Sequence, residues 1–109
     1  MQLSISTGTL FIFGFRKAFE IAADIGFDGL ELIINQDFPH AGSRKMVAEL
    51  SEIMPVLSIH APFMPLNDWG DPIDSLKRTV ELADETGVPL VNFHPPSWMG
   101  LEVTFWRWL

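Results

Sequence analysis

Two short stretches carry side chains able to do chemistry in matched surroundings. In "VLSIHAPF" (Val56–Phe63) an apolar run ends at His60, and Pro62 follows after one residue. In "LVNFHPPSW" (Leu90–Trp98) another ends at His94, and Pro95 follows at once. Proline stops a ladder because it lacks an N–H. Each histidine is therefore the last side chain of a strand, held at its rim. An imidazole there can ligate a metal or carry a proton. A lone strand-end histidine is more often a hydrogen-bonded structural residue. Two in equivalent places point to a shared metal or substrate role.

Other polar side chains fall at similar positions. Thr7 closes "LSIST" (Leu3–Thr7), and Glu31 sits inside "GLELII" (Gly29–Ile34). Two imidazoles and a carboxylate around one hollow suit zinc, manganese or iron. Such an ion lowers the pKa of bound water or polarises a carbonyl or hydroxyl oxygen. The plainer role for Glu31 is an ion pair with a basic residue from the missing half of the barrel. Trp69 and Trp98 read first as core or lid residues, with substrate stacking as the alternative. Asp24, Asp84 and Glu85 read as solvated residues near helix ends.

These side chains need strands to hold them and helices to space the strands. Phe15, Ala18, Phe19, Ala22 and Ile25 recur at helical spacing, and Gly26 is the stop. Ser43 is placed to cap a second helix with the stripe Met46, Val47, Leu50, Ile53 and Met54, ended by Pro55. Asp71-Pro72 is an N-cap and first-turn pair. It opens a third helix with Ile73, Leu76, Val80 and Ala83 on one face, closed by Gly87. A fourth helix begins near Leu101 and reads as interrupted at "TFWRWL" (Thr104–Leu109). The order is β-α-β-α-β-α-β-α, the pattern of a parallel sheet with crossover helices.

The strand faces discriminate among parallel folds. Ser4 and Ser6 share one face, and Leu3 and Ile5 take the other. Gly29 and Glu31 oppose Leu30 and Leu32. Ser58 and His60 oppose Leu57 and Ile59. Asn92 and His94 oppose Val91 and Phe93. A doubly wound sheet covers both faces with helices and reads as continuous apolar runs. One apolar and one small or polar face favours a (β/α) barrel, which has helices outside only. The expected class is α/β: parallel (β/α) units forming the N-terminal half of a TIM barrel, with about four strands and three to four helices. Residues 1–109 then make one partial (β/α)8 domain of four βα units, truncated in the fourth helix, since a whole barrel takes about 200 residues or more. Two unpaired strand edges call for cover, for instance by a second copy in a homodimer.

Composition narrows the setting. Hydrophobic residues make up 48% of the 109, enough for a core. The chain has no cysteine, which rules out disulfides and thiolate metal sites and fits a reducing cytoplasm. The apolar opening "MQLSISTGTLFIFGF" lacks the basic leader of a signal peptide, because Arg16 and Lys17 come after it. No run of about 20 apolar residues provides a membrane span. The net charge of -7 disfavours nucleic acid and anionic membranes. All seven basic residues (Arg16, Lys17, Arg44, Lys45, Lys77, Arg78 and Arg107) fall on expected helices, none at the strand ends. A protein that grips phosphates needs them near the site. A small neutral or weakly charged substrate fits better than DNA.

The strings "SIHAPFMPLN" (Ser58–Asn67) and "LVNFHPPSW" resemble the third and fourth strand ends of the xylose-isomerase-like TIM barrel superfamily. That group holds sugar isomerases and epimerases and the endonuclease-IV-like AP endonucleases (AP endonuclease family 2). "GFDGLEL" (Gly26–Leu32) is similar to its second strand. The resemblance covers nearly all of the chain but only the N-terminal half of the family's fold. It implies that His60 and His94 are metal ligands, as in the endonuclease branch. Glu31 falls where the isomerase branch is often acidic, which makes it the catalytic candidate. Thr7, Asn67 and Trp98 are the substrate-binding candidates. "DWG" (Asp68–Gly70) departs from the family's residues after the asparagine, and the later ligands and catalytic groups are absent from the chain. Three functions follow as expectations: a metal-dependent isomerase or epimerase acting on a sugar or polyol, a DNA-repair endonuclease, or an inert half-barrel that self-associates.

Overall fold

The computed structural model describes residues 1–94. The expected fourth helix, Trp98 and Arg107 lie outside the described residues. Four strands, β1 (Ser4–Ser6), β2 (Gly29–Ile33), β3 (Val56–His60) and β4 (Val91–Asn92), alternate with three helices, α1 (Phe15–Ile25), α2 (Ser43–Ser51) and α3 (Pro72–Thr86). Neighbouring strands are all parallel, and the sheet order follows the chain, β1-β2-β3-β4. A doubly wound sheet reverses its strand order at a switch point; this one never does. The helices pack in chain order on the face carrying Ile5, Leu30, Leu32, Ile59 and Val91. The fold is α/β, a run of parallel βα units arranged as half of a TIM barrel.

Helix ends follow local chemistry. α1 has the bounds its apolar spacing predicts, and Gly26 closes it in the left-handed region at φ 100°. The Asp71 side chain accepts from the Asp74 N–H at 2.8 Å, with Pro72 in the first turn. Two expectations are corrected. Ser43 is the first residue of α2 and not its cap: Gly42, at φ 81°, turns the chain in, and no side chain caps the helix. Ile53 and Met54 lie past the end of α2 but still pack against the core.

The buried stripe of α3 is also rotated from the expected one. Ser75, Leu76, Thr79, Leu82 and Ala83 are buried, whereas Val80 is 44% exposed. Two hydroxyls make this tolerable. Thr79 donates to the Ser75 carbonyl at 2.7 Å, and Ser75 donates to the Trp69 carbonyl at 3.2 Å. Buried polar groups with such partners carry little penalty. β1 and β4 are shorter than expected, and a 3-10 turn at Phe11–Phe13 was not foreseen. On the β3 side, ladder bonds to the last strand run only from the Leu90 to the Asn92 carbonyl.

β3 contains one irregularity that the simple alternation misses. Leu30 pairs with Val56, but Glu31 pairs with Ser58, so Leu57 is an extra residue there. Val56 thereby joins the core while Leu57 packs over Gly29, on the face where the alternation placed Ser58 but not Leu57. A β-carbon on Gly29 would lie 2.5 Å from Leu57 Cγ and 2.7 Å from the Pro55 carbonyl oxygen. Backbone cannot yield as a side chain can. Gly29→Ala is expected to destabilise the domain by about 1–3 kcal/mol, the usual cost of overpacking. Urea unfolding checks this, with a lower midpoint at an unchanged slope.

Candidate functional site

The pleat and the pairing register place Ser6, Glu31, Ser58, His60 and Asn92 on the face away from the helices. Ser6, Glu31 and Ser58 form one row. Ile33, His60 and Asn92 form the next, nearer the C-terminal ends of the strands. His94 follows two residues after Asn92, beyond the ladder.

The two histidines meet. Their ring centroids are 5.0 Å apart at 41°. Phe63 stands edge-on to both, 4.8 Å from His60 and 5.5 Å from His94. His60 is 8% exposed and His94 is open to solvent. His60 Nδ1 lies 2.7 Å from the Ala61 carbonyl oxygen, which can only accept. Nδ1 therefore carries the proton, and the neutral ring has its lone pair on Nε2. A backbone carbonyl holding one nitrogen is the usual support for a ligating imidazole.

With zinc–nitrogen bonds of about 2.0–2.1 Å and tetrahedral angles, ring centroids of two ligands stand about 5 Å apart. No three His, Asp or Glu side chains form a metal-holding group among the described residues. Glu31 is not counted with the imidazoles in a metal-holding group: the described residues supply a pair, not a trio.

Glu31 is held in its own row. Its Oε2 accepts from Ser58 Oγ at 2.7 Å and from Asn92 Nδ2. One carboxylate oxygen thus fastens β2 to β3 and β4. Both partners are neutral donors. Thr7 is buried, and its hydroxyl accepts from the Ile33 N–H at 2.9 Å. Its own N–H donates to the Glu31 carbonyl at 2.9 Å, so both groups tie β1 to β2.

Asn67 stands elsewhere. It lines a cleft of about 360 Å³ between the β2–α2 and β3–α3 loops, with Asn35, Gln36, His40 and Asp68. None of Glu31, His60 and His94 lines it. Trp69 is 3% exposed, and it packs against Phe38 at 6.3 Å and edge-on to His40 at 5.2 Å. It is a core residue, the plainer of its two expected roles.

Arg78 joins the two walls. Its Nη1 donates to the Asp68 carbonyl at 2.6 Å and to His40 Nε2 at 2.8 Å. Arg78 lies on a helix, α3, as expected, and its side chain spans back to the loops after β2 and β3. Sequence reading also passed over Ser58 and Asn92 as site residues. Their shared parity with Glu31 was the available signal; that all three lie side by side depends on the register. His40 and Arg78, 38 residues apart, offer no signal.

Comparison with known proteins finds relatives in mycobacteria. The chain is 34% identical over 106 residues to the uncharacterized protein ML2432 of Mycobacterium leprae. It is 34% identical over 104 residues to the uncharacterized protein Rv0498 of Mycobacterium tuberculosis. Each match covers 88% of this chain and 36% of the relative. The chain thus spans 36% of the length of the curated relatives it matches. No family model matches it. No solved structure matches it at a significant level.

Proposed function

We propose that the chain is the N-terminal part of a metal-dependent isomerase or epimerase that acts on a small uncharged sugar or polyol. The observation that carries the reading is the pairing of His60 with His94, 5.0 Å apart at the C-terminal end of a half-barrel sheet. In (β/α) barrels that end is where sites are built.

His60 and His94 hold the divalent ion, and the remaining ligands come from the part of the longer protein that this chain does not span. When bound, such an ion polarises a carbonyl or hydroxyl oxygen. His60 presents Nε2 because the Ala61 carbonyl holds Nδ1. Glu31 takes and returns the proton on the carbon beside that carbonyl. Ser58 and Asn92 keep its carboxylate oriented. Phe63 packs edge-on against both rings. The setting is the cytoplasm, in keeping with a chain free of cysteine. Among the described residues no helix is long and apolar enough to cross a membrane. Among them also, β1 and β4 each pair on one side only, which leaves both edges for the rest of the barrel.

The charge balance favours this substrate class over DNA: the net charge is -7, and Arg78 is engaged with Asp68 and His40. The test uses the longer Mycobacterium tuberculosis relative with manganese or zinc in heavy water. The expected result is deuterium uptake at the carbon next to the carbonyl of a neutral aldose or ketose, abolished by a chelator. Metal-dependent cutting of abasic DNA with no uptake across a panel of sugars overturns the reading and favours the endonuclease.

A further inference from the structure

We propose that the cleft between the β2–α2 and β3–α3 loops is a second binding site. Its ligand is an uncharged small molecule bearing hydrogen-bond donors and acceptors, and Arg78 is the positioning residue that sets the shape of the cleft. This does not depend on the histidine pair, none of whose residues line the cleft.

The volume of about 360 Å³ lies at the lower end of ordinary ligand sites. The lining joins the buried rings of Phe38 and Trp69 to a larger share of polar groups. Those groups are mostly neutral. Asn35, Gln36 and Asn67 are carboxamides, each offering donors and an acceptor. Asn35 Oδ1 accepts from the Asp37 N–H at 2.9 Å, which fixes its amide and directs the Nδ2 donors elsewhere. Among the described residues no lysine or arginine lines the cleft, and Asp68 does. A phosphate or carboxylate would meet one acidic side chain, and the neighbouring Arg78 is already engaged with His40 and the Asp68 carbonyl. That selects against anions.

His40 contributes through Arg78. A guanidinium only donates, so His40 Nε2 must accept and the ring proton resides on Nδ1. The bond holds the imidazole as one tautomer. The same Nη1 donates to the Asp68 carbonyl on the other loop. One side chain from α3 thus sets both the spacing of the walls and the hydrogen-bonding character of one of them. Trp69, edge-on to His40, limits how far that ring can tilt.

The test is nitrogen-15 NMR on the 109-residue chain, with and without zinc. Xylitol and nicotinamide serve as neutral probes and glycerol 3-phosphate as the anion. Saturable shifts of the Asn35, Gln36 and Asn67 side-chain amides with at least one neutral probe are expected, equal with and without zinc. The phosphate should bind at least tenfold more weakly. Arg78→Ala should weaken the neutral probe about tenfold and let the His40 proton redistribute between its two nitrogens. Asn67→Ala, at an exposed position, should weaken binding with the fold intact. The proposal is overturned if neither neutral probe saturates, if the phosphate binds as tightly, or if Arg78→Ala changes neither affinity nor tautomer. Failure only in zinc binding would count against the histidine reading alone.

Discussion

Glu31→Leu is expected to destabilise the domain by about 2–4 kcal/mol, a large share of what a small domain has. Leucine fills a similar volume, so the loss is not chiefly one of packing. It comes from Ser58 Oγ and Asn92 Nδ2, which both lose their acceptor on the inner face. Bonds to a charged acceptor contribute about 1.5–3 kcal/mol each, offset in part because the leucine needs no hydration. Glu31→Gln keeps one acceptor oxygen and should cost about 1 kcal/mol. Urea unfolding of the three proteins measures the series. If leucine equals wild type, the three-strand tie contributes nothing, and the idea that Ser58 and Asn92 orient Glu31 loses its basis.

The parts of the fold that local chemistry decides were readable from the residues. Asp71-Pro72 and Gly87 delimit α3 as expected, and Gly26 delimits α1. Strand alternation placed Glu31, Ser58, His60 and Asn92 on one face, and they lie there. What alternation cannot supply is register. The extra residue at Leu57 moved Val56 into the core, and no local pattern announces a bulge. The stripe of α3 was misjudged because apolar residues were followed. Ser75 and Thr79 are buried instead, satisfied by carbonyls four or six residues back. The candidate site was legible only in its strand-borne parts. Thr7 and Asn67 are both substrate-binding candidates by sequence, yet one is bonded to the β2 backbone and the other lines a separate cleft. The bond between Arg78 and His40 needs the tertiary fold and has no trace in spacing.

The second large effect concerns the imidazole pair. Replacing either His60 or His94 by alanine should weaken binding of a divalent ion by about 100-fold or more. Loss of a mere supporting group around a metal costs 10–100-fold, and loss of a ligand should exceed that. A 100-fold change is about 2.7 kcal/mol. The two variants should fall together, because one imidazole alone holds an ion no better than any surface histidine. His40→Ala should leave the affinity unchanged, since its Nε2 is engaged by Arg78 at the other cleft. Acidification should weaken binding in wild type as protons compete for both rings.

The most direct test of the shared site is a titration of the wild-type chain with manganese, followed through the ring C–H signals of its three histidines. Paramagnetic broadening falls steeply with distance, so it reports which rings touch the ion. The account predicts that His60 and His94 broaden together with one midpoint while His40 stays sharp. Broadening of His94 alone, or of all three rings at separate midpoints, would contradict it.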